Sequence, residues 1–151
     1  MFKLSFPLYD VNAGSGSKGL GNLPEWDLSD LYSSQDAPEL ARDLEWLDGE
    51  CAAFAKEYEG KLAQLDAQAM LDCVLRNERI NAVAGRIMSF AGLRYYQLTI
   101  DDDRTKFMSD MQENITNFTT PLVFFTLELN SIDDAALQRL LDSNSGLARY
   151  R

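Results

Sequence analysis

The residues that could carry out chemistry in this sequence are carboxylates and cysteines, because its 151 residues include no histidine. A zinc hydrolase site needs two imidazoles one helical turn apart, a third ligand and a carboxylate that activates water. A di-iron bundle needs Glu-x-x-His pairs, and serine or cysteine nucleophiles have no histidine base here. No arrangement of residues indicates a lysine-based or carboxylate-only mechanism. The sequence therefore predicts no catalytic residue and no metal ligand in this chain.

The densest acidic cluster is Asp101-Asp102-Asp103. Calcium takes six to eight oxygen ligands in loop patterns such as DxDxDG, and that pattern is absent. The cluster is interpreted as the cap and acidic first turn of a helix. Cys51 and Cys73 lie within helical patterns and are interpreted as small, buried, apolar residues.

Two further motifs are discounted. The segment GSGSKGLG at 14–21 is not the GxxxxGK[ST] phosphate loop, and no apolar strand precedes it, so a flexible tail is expected. Asn114 and Asn117 each begin an N-glycosylation triplet. Both lie within a strong helical pattern in a chain without a recognisable signal peptide, so we expect neither to be glycosylated.

Composition narrows the class of partner. The formal net charge is -10, and the 14 basic residues are scattered singly among 24 acidic ones. Binding to nucleic acid or to anionic lipid requires clustered Lys and Arg, so neither partner is expected. No run approaches the 18 or more apolar residues of a membrane-spanning helix. Without a secretory signal, the sequence predicts a cytoplasmic protein.

Apolar spacing predicts the elements that position these residues. Residues 1–22 are expected to form a flexible leader, and residues 23–151 a helical domain. The first helix is predicted at 37–58, capped by Ser34 or Asp36 and followed by Gly60 as C-cap. Its apolar stripe, with spacings of three and four residues, is Leu40, Leu44, Leu47, Cys51, Phe54 and Tyr58. The second is predicted at 67–98 with Asp66 as N-cap. Its Gly85 and Gly92 suggest that another helix crosses close to the backbone.

The third helix is predicted at 103–130 and the fourth, shorter, at 133–142 with Ser131 or Asp133 as cap. Pro121 lies inside the third helix, so a kink is expected near Asn117, whose carbonyl loses its partner. The fold class is therefore all-α: three long amphipathic helices and a short one, in an up-and-down bundle or an elongated helical hairpin. Residues 147–151 read as the first turn of a further helix that is cut off.

Five segments, in order along the chain, carry a family resemblance: LPEWDLSDLY (23–32), YEGKL (58–62), GRIMSFAGL (85–93), FFTLELNSIDD (124–134) and LARYR (147–151). Together they resemble the N-terminal region of the oligoendopeptidase F family. These are zinc metallopeptidases related to thimet oligopeptidase, which cut short peptides inside a closed helical shell. In the first segment Trp26, Leu28 and Leu31 are interpreted as packing anchors.

The resemblance implies a role in the wall around a substrate channel. Family members are several times longer, and their HExxH zinc helix lies far beyond residue 151. The implied partners are the remaining catalytic domain and, for the whole enzyme, zinc and short peptides. None of the family's ligands or catalytic residues maps onto this chain, and its substrate-binding residues are unknown. The alternative is a stand-alone helical interaction module.

An exposed apolar surface is a further expectation. A third helix rich in Phe and Leu would meet the missing domain, and without it that side of the helix would face solvent. The sequence therefore predicts self-association, or an interdomain contact, through Phe118, Leu122 and Phe125.

Overall fold

The computed structural model describes residues 26–150, which form helices and turns with no strand among them. Within these residues the α-helices are α1 (Pro38–Tyr58), α2 (Ala67–Gln97), α3 (Asp102–Thr119), α4 (Val123–Ser131) and α5 (Asp134–Ser143). Short 3-10 turns lie at Leu62–Gln64, Thr120–Leu122 and Leu147–Tyr150. The all-α prediction is confirmed. The predicted leader and residues 23–25 of the first motif lie outside the described residues.

Three of the four helices with a predicted N-cap residue begin at a side-chain cap that the sequence predicted. Asp66, Asp101 and Asp133 each accept a hydrogen bond at 2.8–3.1 Å from the backbone N–H three residues later. The predicted side-chain cap of α1 is wrong, because Ala37 is the N-cap and makes no side-chain bond. Pro38 explains this, since proline forces the residue before it into an extended conformation, which ends the preceding turn at Ala37.

Pro121 divides the predicted third helix into two helices. It has no N–H to donate to the carbonyl of Asn117, so the α-helical ladder fails there. In the structure α3 ends at Thr119, the 3-10 turn follows, and α4 begins at Val123. The break therefore lies three residues after Asn117, the position at which a kink was predicted. The hydroxyl of Thr119 donates to the carbonyl four residues earlier at 2.7 Å, which gives that carbonyl an additional donor beside the break.

The core lies between the first three helices. α2 contacts both α1 and α3, and α1 also contacts α3, which is the packing of a bundle and not of an elongated hairpin. The predicted stripe of α1 faces inward, with one member half-buried and the others buried. The most deeply buried side chains of α1 and α2 are Leu40, Leu47, Cys51, Phe54, Met70, Cys73, Ile80, Ile87 and Phe90.

Tyr32, and not Trp26, anchors the opening segment to this core. Trp26 is 59% exposed, whereas Tyr32 is 2% exposed. Leu28 and Leu31 pack half-buried against the core, as predicted, but the prediction for Trp26 is wrong. The N–H groups of Leu31 and Tyr32 both donate to the carbonyl of Leu28 and so form a turn. This turn, and not Trp26, packs against the helices. Only the backbone of Trp26 is bonded, through its carbonyl to Nε2 of Gln97 at 2.9 Å.

The glycines of α2 do not mark a close helix crossing, contrary to the prediction. A Cβ atom added to Gly85 or to Gly92 meets no atom within 4 Å. Their cost to the helix is therefore not offset by a contact that only glycine allows. Gly60 differs, because its φ of 76° is left-handed and is disfavoured for residues with a Cβ atom. It follows the C-terminus of α1, in agreement with the predicted C-cap region.

These geometries predict opposite effects of alanine at two glycines. Gly85→Ala should raise the free energy of unfolding by about 0.5–1 kcal/mol, because it removes backbone entropy from the unfolded chain without a clash. Gly60→Ala should lower it by about 1 kcal/mol or more, because its backbone conformation is strained for alanine. Urea unfolding followed by circular dichroism measures both. Equal destabilisation by the two variants would contradict the prediction.

Both cysteines are free and fully buried, as predicted. Burial raises the pKa of the Cys51 thiol to about 11 and that of Cys73 to about 12, from an ordinary value of 9.0. Between pH 9 and the raised pKa values, the two thiols stay protonated in the folded chain but lose their protons in the unfolded chain. The thiols' contribution to stability is therefore complete below pH 9 and is lost as the pH rises towards 12.

Alkaline solution should accordingly destabilise the chain. We expect the urea midpoint to fall steadily above pH 9, the ordinary thiol pKa. A double variant with Cys51→Ala and Cys73→Ala should be less stable at neutral pH but show a shallower alkaline decline. Parallel declines in the two proteins would rule out the thiols as the cause.

Among the helices of residues 26–150, none combines the length and the apolar character needed to cross a lipid bilayer.

Candidate functional site

A three-residue polar network joins the opening segment to α1 and α2. The hydroxyl of Tyr32 donates to Oδ2 of Asp43 at 2.5 Å and accepts from Nε of Arg86 at 2.9 Å. Arg86 also forms an ion pair with Asp43, and its guanidinium lies 4.7 Å from the centre of the Tyr32 ring. Three parts of the chain that are distant in sequence are thus held at one point.

This network keeps the tyrosine protonated. Burial, followed by the hydrogen bond to Asp43, raises the pKa of Tyr32 to about 12. The same carboxylate raises the pKa of the Arg86 guanidinium. A tyrosine that holds its proton this tightly is unsuited to general-base chemistry near neutral pH. The bonds of this network link the opening segment to α1 and to α2.

A carboxylate of α4 binds the loop between α1 and α2. Glu128 accepts from the backbone N–H of Gly60 through Oε1 at 2.6 Å and from that of Leu62 through Oε2 at 3.3 Å. These N–H groups follow the end of α1, where the chain leaves its helical ladder. One half-buried side chain thus fixes the course of the loop from 66 to 68 residues further along the chain.

Removing this carboxylate should loosen the loop. Glu128→Ala is expected to lower the free energy of unfolding by about 1–3 kcal/mol, because two backbone donors lose a charged acceptor. Glu113→Ala, at an exposed position of α3, is the matched control and should change it by less than about 0.5 kcal/mol. Urea unfolding compares the two variants. Equal losses would show that Glu128 has no special role.

Arg76 of α2 forms a second set of polar contacts, with α1. It binds Oε1 of Glu50 at 2.5 Å and Oε2 of Glu57 at 2.6 Å. Its guanidinium also lies 5.8 Å from the Phe54 ring centre and 5.9 Å from that of Tyr58. At the other end of the described residues, Arg149 of the LARYR motif pairs with Glu78 of α2 at 2.9 Å.

The contacts above connect the motifs that carry the family resemblance. Tyr32 of the first motif binds Arg86 of the third, and Gly60 of the second binds Glu128 of the fourth. None of these pairs is close in sequence. These contacts hold four of the five motif segments against one another in the fold.

An open groove with a volume of about 390 Å³ runs between α1 and α2. Trp46 and Val83 are half-buried in it, and Arg42, Arg79 and Arg86 lie exposed along it. Its lining is completed by Glu39 and Asp43. Arginine side chains and an indole ring thus meet here around a concave surface.

Sequence reasoning did not find this groove, because it treated the basic residues as scattered singly. A signal was present in the helical spacing. Arg42 and Trp46 lie four residues apart on α1, and Arg79, Val83 and Arg86 follow at steps of four and three on α2. Each set is a stripe along one helix, but only the packing of α1 on α2 brings the stripes together.

The acidic cluster has the predicted capping role. Asp101 caps α3, and Asp102 and Asp103 occupy its first turn, exposed to solvent. Residues 26–150 hold no group of three or more His, Cys, Asp or Glu side chains able to bind a metal ion.

The predicted association surface is placed differently. Phe118, Leu122 and Phe125 are half-buried and pack against the core, and α1 contacts both α3 and the 3-10 turn that contains Leu122. Phe125 lies 5.9 Å from the ring centre of Phe54. The apolar side chains that α4 exposes are Val123, at 59%, and Leu127, at 65%. Self-association itself stays a prediction; Val123 and Leu127 are exposed, whereas the predicted three residues are half-buried.

Comparisons of the chain with protein-family models, with curated proteins and with solved structures gave no match.

Proposed function

We propose that this chain is the N-terminal helical wall of a zinc metallo-oligoendopeptidase of the oligoendopeptidase F type. The observation that carries the proposal is the mutual bonding of the resembling motifs, through Tyr32 and Arg86 and through Gly60 and Glu128. The all-α fold also suits a protein that encloses a substrate channel with helices.

In this proposal the whole enzyme is a cytoplasmic hydrolase that cleaves short peptides with zinc. The residues of this chain do not fit the metal, because the sequence has no histidine and residues 26–150 contain no candidate ligand group. The contribution of the chain is therefore positional: it encloses substrate, limits its size and contacts the catalytic domain. The isolated chain is expected to hydrolyse no peptide.

The coding sequence after codon 151 provides a direct test. An in-frame HExxH several hundred codons downstream supports the proposal, and a stop codon directly after codon 151 overturns it. A second test uses the purified chain with a quenched fluorescent peptide. No cleavage is expected with or without added zinc, and cleavage that a chelator abolishes would refute the assignment of the chain as a non-catalytic wall.

A second candidate is a stand-alone helical interaction module. It is favoured by Val123 and Leu127, which expose an apolar strip one helical turn long on α4. The stop codon that would overturn the first proposal would favour this one.

A further inference from the structure

The groove between α1 and α2 contains one arginine that is not matched by a carboxylate. Asp43 is paired with Arg86 and bonded to Tyr32. Glu39 accepts from the hydroxyl of Ser33 at 2.8 Å and has its pKa lowered by hydrogen bonding, with a smaller contribution from Arg42. Three guanidinium groups thus share two carboxylates, and the groove keeps one positive charge in excess.

Arg42 forms no ion pair, but its Nε donates to the carbonyl of Pro38 at 3.3 Å, so Arg79 is the arginine of this groove without a polar partner among residues 26–150. Its guanidinium lies 4.9 Å from the ring centre of Trp46, and within residues 26–150 it forms neither a salt bridge nor a hydrogen bond. The stacking leaves the edge of the guanidinium, with its N–H donors, available. It also limits the side chain's motion, so a ligand that binds there loses less conformational entropy.

The apolar surface lies next to this charge. Val83 is one helical turn after Arg79 on α2 and is half-buried beside Trp46. The groove volume of about 390 Å³ is within the range of small-ligand sites. A ligand for this groove therefore combines one negative charge with an adjoining apolar group.

We propose that this groove binds the C-terminal carboxylate of a peptide whose last side chain is apolar. The guanidinium of Arg79 donates two parallel N–H bonds to the carboxylate, the geometry that arginine and carboxylate share. The side chain of the same terminal residue rests on Trp46 and Val83. A terminal residue suits a short groove, because its charge and its apolar group are attached to one carbon atom.

The charges of the groove and of the whole chain disfavour nucleic acids and other polyanions as ligands. A nucleic acid needs several cations to neutralise successive phosphates, and here three arginines are accompanied by two carboxylates, one of them paired with Arg86. The chain's net charge of -10 also repels polyanions. An internal Asp or Glu side chain is the closest competitor and is separated by the experiment below.

The experiment uses Trp46 as its own reporter. The chain has two tryptophans, and Trp26→Phe leaves Trp46 as the only one. This chain is titrated with acetyl-Ala-Ala-Leu as free acid, with the same peptide as C-terminal amide, and with acetyl-Ala-Asp-Leu amide. A saturable change in Trp46 fluorescence is expected with the free acid, and affinities roughly tenfold or more weaker with both amides.

Arginine variants identify the group that binds. Arg79→Gln should weaken binding of the free acid roughly tenfold or more, because it removes the charged fork. Arg139→Gln, at an exposed position of α5 away from the groove, should bind like the parent. Circular dichroism and urea unfolding check that each variant is folded. Because Arg79 is exposed and only stacked, its replacement should leave the fold intact.

Three results would overturn the inference. They are equal affinity for the acid and its amide, an Arg79→Gln variant that binds like the parent, or no binding of the free acid up to about 10 mM. Tight binding of the internal Asp peptide amide would also refute a C-terminal carboxylate site. The measurement needs no catalysis, so its outcome is separate from that of the proposed function.

Discussion

Replacement of Phe54 by alanine should lower the free energy of unfolding by about 3–5 kcal/mol, the largest effect expected from one substitution in α1. The Phe54 side chain is 0% exposed. Its ring centre lies 4.8 Å from that of Tyr58 and about 6 Å from those of Phe124 and Phe125. Alanine leaves a cavity among rings on two different elements, which the chain cannot close without moving α4.

The measurement is urea unfolding of Phe54→Ala beside two comparison variants. Phe54→Leu keeps most of the volume and should lose clearly less stability than the alanine variant. Tyr96→Ala, at an exposed position of α2, should change the free energy of unfolding by less than about 0.5 kcal/mol. A loss below about 1 kcal/mol for Phe54→Ala would contradict the packing of α4 on α1.

Tyr32→Ala is expected to have an effect of similar size, about 3–5 kcal/mol. The variant removes a buried ring that meets Phe90 edge-on at a centroid distance of 5.3 Å, together with the hydroxyl between Asp43 and Arg86. Tyr32→Phe separates the two contributions. It should cost only about 1–2 kcal/mol, because Asp43 and Arg86 remain paired with each other.

Trp26→Ala is the matched control for this prediction. It alters a larger aromatic residue of the same opening segment, but one that is 59% exposed and bonded only through its backbone. We expect a change of less than about 0.5 kcal/mol. If Trp26→Ala and Tyr32→Ala destabilised the chain equally, the assignment of Tyr32 as the anchor would be wrong.

The helices were largely predictable because the signals that form them are local. The spacing of Leu40, Leu47 and Phe54 predicted the buried face of α1, since residues three and four apart share one side of a helix. The aspartates at 66, 101 and 133 cap the helices that follow them, since a short carboxylate reaches only the nearest N–H groups. Pro121 broke the third helix by removing one donor.

Predictions that depended on neighbours in space were less successful. Gly85 was expected to lie under a crossing helix, but no atom of another element approaches it. Phe118 and Phe125 were expected to face solvent, but both are half-buried against the core. An apolar stripe predicts that a helix face will be buried, but it does not predict which element will pack against that face. Several arrangements of the helices bury the same apolar area.

The sequence by itself determined the all-α class, the outer ends of the predicted helices to within a few residues, and the absence of histidine from this chain. The tertiary structure alone decided that Tyr32 meets Arg86, that Glu128 binds the loop at Gly60, and that Trp46 and Arg79 form one groove. The physical reason is range. Capping, proline breaks and periodicity act within about one or two helical turns, whereas these contacts join residues that only the packing of whole helices brings together.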